Sequence, residues 1–221
     1  MQLPPGTTFD VAAVLFDMDG TLVDSTAAVV RIWHRWAARH GIDPDAILRV
    51  SHGRRAQEVM REFAPASLDI AAELDRLEEM ERAETEGVIA VPGAAALLES
   101  LPPERWAVVT SATRRLAEVR LALTGLPMPA AFVGAADVAE GKPNPEGYRL
   151  AAARLGVDPA ACLVLEDAPA GLAAGRAAGA RVVALATTLP SAELEHWDWL
   201  ADLRPLQHVP SAGPGLRLRI R

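Results

Sequence analysis

The stretch VAAVLFDMDGTLVDS, residues 11–25, sets an apolar run directly against three aspartates, Asp17, Asp19 and Asp24. Residues 11–16 carry no polar side chain, and polar residues and Gly20 close the run. An uninterrupted run of that length predicts a strand buried on both faces, as in a parallel sheet. Burying charge without a partner is costly. Aspartates at the end of such a strand therefore call for a cation or a reaction that uses them.

Downstream the pattern changes twice. Residues 24–87 read as helices: Ser25 offers a cap and Gly41 a stop, and Asp43-Pro44 gives a capped second start. A stripe of Leu68, Ala71, Leu74, Leu77 and Met80 marks the last helix of the block. From Gly93 onward, strands and helices alternate. Strands are expected over 106–110, 130–135, 162–166 and 181–185, with helices over 113–123, 145–155 and 168–178. Alternation of this kind predicts a parallel sheet covered by helices. The fold class expected is α/β, with residues 1–23 and 88–221 as the core and 24–87 as a helical insert. Residues 195–221 give no clear reading; LRLRI alternates like an edge strand but equally suits a loose tail.

Composition narrows the function. Half of the 221 residues are hydrophobic, enough for a packed core. The net charge of −7 argues against nucleic acid or a membrane surface as partner. The single cysteine, Cys162, sits in an apolar run and reads as a core residue, so neither an internal disulfide nor a thiolate cluster is expected. No leader or membrane-spanning pattern is evident, so a cytoplasmic protein, monomeric or weakly dimeric, is the expectation.

In open parallel sheets, ligands gather where strands end. The expected ends deliver Asp17 and Asp19, then Ser111, then Lys142 from the following loop, then Glu166 and Asp167. Each has a plain structural alternative: a turn for DMDG, a helix cap for Ser111 or for Glu166-Asp167, a solvated charge for Lys142. Together they describe a site for a hard divalent ion and a phosphoryl group, because converging acids without a cation would repel. In this reading Asp17 attacks phosphorus and Asp19 moves protons. Mg²⁺ sits on Asp17, Asp19 through its backbone carbonyl, Glu166 and Asp167. Ser111, the amide near Ala112 and Lys142 hold the phosphoryl oxygens.

DMDGT, the strand-end Ser111, GKPNP and LEDAPAG, in this order, resemble the haloacid dehalogenase superfamily. The resemblance spans about residues 10–188. It implies a Rossmann-like parallel core with an inserted α-helical cap domain, and chemistry at their junction. Asp19 with Thr21 resembles the phosphatases and mutases of that superfamily rather than its dehalogenases. VSHGRR, VPGA and DVAEGKPNPEGY are similar to its glycerol-phosphate and 2-deoxyglucose-6-phosphate phosphatases. That implies a small phosphorylated sugar or polyol as substrate. A phosphosugar mutase of the β-phosphoglucomutase kind is the alternative, and a non-catalytic phosphate-binding protein a third. In the insert, Ser51-His52-Gly53-Arg54-Arg55 interrupts the helical pattern. His52, Gly53 and Arg54 are expected to reach over the site and bond substrate hydroxyls.

Overall fold

The structure is a computed structural model describing residues 1–211, 213 and 215–221. The chain begins with β1 (Thr8–Val11) and β2 (Ala13–Phe16), followed by β3 (Val23–Asp24). Four helices come next: α1 (Thr26–His40), α2 (Pro44–Ser51), α3 (Ala56–Phe63) and α4 (Ile70–Ala83). Then follow β4 (Ile89–Ala90), α5 (Ala94–Ser100), β5 (Trp106–Val109), α6 (Arg114–Leu123), β6 (Ala131–Val133) and α7 (Glu146–Arg154). The chain closes with β7 (Cys162–Glu166), α8 (Pro169–Ala177), β8 (Arg181–Leu185), β9 (Asp198–Leu200), β10 (Leu206–Val209) and β11 (Leu216–Ile220).

Six of these strands form one sheet in the order β6-β5-β2-β7-β8-β9, and every neighbouring pair is parallel. This is the doubly wound order 3-2-1-4-5-6. Its strand order reverses between β2 and β7, the strands that stop just before Asp17 and at Glu166. All residues of β2, β5 and β7 are buried, as expected for strands covered on both faces. One side packs around Phe16, Trp106, Leu163 and Leu165. The other packs around Leu15, Val109, Tyr148 and Val164.

The helical block packs around its own core of Ile32, Trp33, Trp36, Ile47, Val59, Met60 and Leu77. The stripe read along α4 is only partly a core face. Leu77 is buried, Leu68, Leu74 and Met80 are half-buried, and Ala71 is exposed, while Glu73 is buried instead. Trp36 Nε1 donates to Glu73 Oε2 at 3.1 Å, and His40 Nε2 lies 3.0 Å from the same oxygen. The two crossings between the helices and the sheet pair as a short antiparallel ribbon, β3 with β4. Beside it Gly93 turns at φ +91°, with no room for a Cβ against Leu203 and Arg204.

Two sequence expectations need correction. The run over 11–16 is not one strand: Val11 ends β1, Ala12 is a link, and β2 starts at Ala13. Residues 206–209 and 216–220 are not a loose tail. β11 is the middle strand of a second, antiparallel sheet, β1-β11-β10, whose inner residues Leu216, Leu218 and Ile220 are buried. Ala212 and Pro214, within the stretch left unread, lie outside the described residues. Among the described residues no helix is long and apolar enough to cross a membrane.

Candidate active site

Asp17 directly follows β2, and its amide still donates to Leu165 O across the strand pair at 3.0 Å. Glu166 ends β7 and Asp167 follows it. One carboxylate oxygen of each of these three buried acids lies within 4.8 Å of the other two. Lys142, also buried, donates to Asp17 Oδ1 and, at 2.7 Å, to Glu166 Oε1. The remaining bonds fix the acids' orientation. Glu166 Oε2 accepts from the amides of Asp167 and Ala168, both at 2.8 Å, and the Tyr148 hydroxyl donates to Oε1 at 3.3 Å. Asp167 accepts from Thr21 Oγ1 at 2.9 Å and Thr188 Oγ1 at 2.5 Å.

Two glycines leave space for these carboxylates. A Cβ at Gly20, where φ is +91°, would overlap Asp167, and a Cβ at Gly171 would overlap Glu166. Gly171 lies in α8 and needs no unusual backbone, so its replacement isolates the steric effect. Gly171→Ala should displace Glu166 and destabilise the chain by about 2–3 kcal/mol, the usual cost of overpacking a tight interior. Urea unfolding measures this, and an unchanged midpoint would refute the close packing.

Burial pushes the Asp17 carboxyl up, with Glu166 and Asp167 adding to it and Lys142 opposing. Burial alone would lower Lys142, but Asp17 and Glu166 outweigh it and hold the ammonium charged. Burial, reinforced by Glu166, pushes Asp167 up to about 7 against the bonds from Thr188 and Thr21. A carboxyl raised on folding binds its proton more tightly in the folded state, so stability falls as pH rises from its unfolded value toward about 7. The chelated protein should therefore lose stability between pH 5 and pH 8, by about 2–4 kcal/mol at most. Millimolar Mg²⁺ at pH 8 should restore it, read as the urea midpoint. A midpoint indifferent to both pH and Mg²⁺ would contradict this charge balance.

Crowded acids that strain toward protonation, with oxygens already converging, are the donor set a hard divalent cation takes. Asp17, Glu166 and Asp167 fit Mg²⁺. The Asp19 side chain lies apart from this group. Its Oδ1 accepts from Ser25 Oγ and pairs with Arg120 Nη1, each at 2.7 Å. Ser25, expected as a cap for α1, makes no side-chain cap bond and serves Asp19 instead.

Ser111 and the cap loop meet. Ser111 Oγ donates to Gly53 O at 2.7 Å, and Gly53, at φ +75°, packs tightly over Ala168. Thr113, not Ser111, caps α6, accepting from the Leu116 amide at 3.2 Å. The Ala112 amide donates to Thr110 Oγ1 at 3.1 Å. His52 and Arg54 line the cavity that opens beside Asp17 and Asp19, about 320 Å³ in volume. Arg54 pairs with Glu62 at 3.0 Å, and burial lowers the pKa of His52.

Four groups of residues in this region carry contacts to which the sequence assigns no role. Arg55 reaches across to the core, donating to Val138 O at 3.2 Å and Ala139 O at 3.1 Å, while Glu58 Oε1 accepts from the Gly141 amide at 3.1 Å. Thr21 and Thr188 hold Asp167, and Tyr148 touches Glu166. Arg120 is almost fully buried between Asp19 and Glu81. Thr187 Oγ1 donates to Gly20 O at 2.5 Å. The pair Thr187-Thr188 follows a strand read correctly from sequence, so its position at a strand end was the available signal.

A doubly wound sheet with an aspartate after its first strand, a buried lysine and an acid pair after its fourth defines a class of hydrolase. The haloacid dehalogenase-like hydrolase model matches residues 11–179, and the chain belongs to that family. It is 49% identical to hexitol phosphatase A of Escherichia coli over 175 residues, 77% of this chain and 81% of that protein. It is 40% identical to glycerol-1-phosphate phosphohydrolase 2 of Saccharomyces cerevisiae over 192 residues, 80% of this chain and 76% of that one. Among solved structures, CbbY from Rhodobacter sphaeroides in complex with phosphate superposes with a TM-score of 0.75 at 26% identity, covering 87% of this chain and 95% of that one.

Proposed function

We propose that this chain hydrolyses the phosphate monoester of a small sugar or polyol through an aspartyl-phosphate on Asp17, with Mg²⁺ as cofactor. The observation that carries this reading is the buried group formed by Asp17, Glu166, Asp167 and Lys142, of which Asp17 lines the cavity. Its relatives named for hexitol and glycerol phosphates support the substrate class.

Mg²⁺ would be held by Asp17, Glu166 and Asp167, with the Asp19 carbonyl, and would supply charge neutralisation between carboxylate and phosphate. Asp17 Oδ forms a bond to phosphorus as the ester oxygen leaves. Asp19 gives its proton to that alkoxide, then takes one from the water that attacks phosphorus and frees Asp17. The displaced groups are the alcohol and inorganic phosphate. Lys142 opposes the upward push on the Asp17 carboxyl and, with Ser111 and the amide near Ala112, offers donors to the phosphoryl oxygens. Binding the substrate requires Ser111 to exchange Gly53 O for a phosphoryl oxygen, so the loop at 51–55 responds to the substrate. His52, Gly53 and Arg54 then face its hydroxyls.

His34 is exposed, and His40 is engaged with Glu73. Thr26, Val29 and Trp33 are the residues of α1 on the cavity wall, which favours hydrolysis over a mutase role. A cytoplasmic monomer or weak homodimer, without nucleic acid or membrane partners, is the setting that suits the charge and composition. The test is Mg²⁺-dependent release of inorganic phosphate from a panel of polyol and sugar monophosphates. Release without a bisphosphate activator is expected. Isomerised sugar phosphate in place of free phosphate would establish the mutase, and binding without either product would establish a non-catalytic protein.

A further inference from the structure

One wall of the cavity is the face of α4 that carries Asp75, Glu78 and Glu81 beside Leu74 and Leu77. Residues three and four apart share a helix face, so the acids form a stripe along the cavity. The arginines lining the same space are already paired. Arg54 meets Glu62 at 3.0 Å, Arg55 meets Glu58 at 2.5 Å, and Arg120 meets Asp19 at 2.7 Å. Glu78 meets a hydroxyl, that of Thr113 at 3.1 Å, and Glu81 is 3.6 Å from Arg120 Nη2, while Asp19 holds the other terminal nitrogen, Nη1. Burial holds the His52 ring below the usual histidine range, so it adds little positive charge at neutral pH. Burial also pushes Glu81 up to about 7, so the negative charge of the cavity beyond the Lys142 pocket rests on Asp75 and Glu78.

Two polar groups elsewhere on the cavity lining, one from α2 and one from α6, lack a hydrogen-bond partner among the described residues. They are the Ser51 hydroxyl and Arg120 Nη2, and both residues are more than nine-tenths buried. Unpaired buried donors are costly, and a hydroxylated ligand would satisfy them. A second anion placed there would face the stripe, and the guanidinium with the unpartnered nitrogen, Arg120, is already neutralised by Asp19, in a partly enclosed space that salt screens less than open solvent. Hydroxyls can instead donate to Asp75 and Glu78.

We propose that the α4 wall selects, among phosphate monoesters, those whose far end is an uncharged polyhydroxylated chain, and rejects those that carry a second anion there. The proposal rests on the phosphatase reading and narrows its substrate class. Glucitol 6-phosphate and 6-phosphogluconate are suitable probes, because they differ at the far terminus in a hydroxymethyl group against a carboxylate. Two readouts are compared: kcat/KM for phosphate release by the wild type, and Kd by calorimetry on the Asp17→Asn protein with Mg²⁺.

The glucitol ester should be preferred by about tenfold or more at low ionic strength, and raising the salt to about 0.5 M should shrink that preference. Asp75→Asn with Glu78→Gln should bring the ratio close to one and remove its salt dependence. The exposed single change Asp75→Asn should move it part of the way, should the double variant fold poorly. A ratio near one in the wild type, or one that neither variant nor salt alters, overturns the proposal. If neither ester is hydrolysed but the calorimetric preference follows these changes, the phosphatase reading fails and the selective wall stands. Turnover of both esters with no preference sinks the selective wall and leaves the phosphatase reading in place.

Discussion

Asp17→Asn should abolish phosphate release, lowering kcat by about 10⁴-fold or more, while the chain remains folded. The size follows from the role: a nucleophile that splits one difficult displacement into two easier ones leaves little catalysis when removed. Asparagine keeps the shape of the side chain and can still accept a hydrogen bond from Lys142. It also removes a buried carboxyl that burial, Glu166 and Asp167 push upward. The metal-free variant should therefore match or exceed the wild type in urea midpoint, even as activity disappears. That opposition between stability and turnover is what separates a reacting group from a structural one. Phosphate release and unfolding measured on one preparation give the test. Residual activity within about 100-fold of wild type in the folded variant would remove Asp17 from the reaction.

The sheet was legible in the sequence where physics leaves the fewest alternatives. β7 and β8 span the stretches expected from sequence, because each is built on an apolar run, 162–165 and 182–185, of the kind a strand covered on both faces needs. Their ends named Glu166 and the position of Lys142's pocket, since polar residues after such runs must meet either ligands or each other. The run over 11–16 misled for the same reason. Val11 is as apolar as its neighbours but belongs to a different sheet, and apolarity alone does not record which sheet a residue joins. The tail was unreadable because LRLRI alternates like an edge strand, whereas β11 lies between β1 and β10 and hides its inner leucines against the main core.

Arg120 shows the limit more sharply. It sits six residues into α6, in the pattern RRLAEVRLAL, where an arginine ordinarily lies on a solvated face. Its burial depends on Asp19 and Glu81, separated from it by 101 and 39 positions in the chain. No local pattern announces an ion pair between elements so far apart, and the same holds for Arg55 against the carbonyls of Val138 and Ala139. Motif reading finds groups that cluster in sequence at strand ends; these arginines exist only as consequences of how the helices dock.

Lys142→Met carries the other large expected effect, and it falls on both stability and turnover. Lys142 is the chain's single lysine, and its ammonium pairs with both Asp17 and Glu166. Methionine approximates its length without its charge. Its loss leaves Asp17 and Glu166 buried and facing each other uncompensated, a situation that costs about 3–5 kcal/mol when one partner of a buried pair is removed. The cost should depend on pH with a definite sign. Without the ammonium the Asp17 carboxyl binds its proton more tightly still, so the variant should approach wild-type stability near pH 5 and fall furthest below it near pH 8. Saturating Mg²⁺ should recover part of the deficit, since a dication can replace the missing charge. Activity should not follow, because the ammonium's donors to the phosphoryl oxygens are gone, and a loss in kcat of about 10²–10³-fold is expected even with the metal bound. Urea unfolding at pH 5 and pH 8, with chelator and with Mg²⁺, resolves these terms. A chelated variant as stable as the wild type at pH 8 would mean that the acids are protonated or solvated without Lys142, and the electrostatic account of the pocket would have to be abandoned.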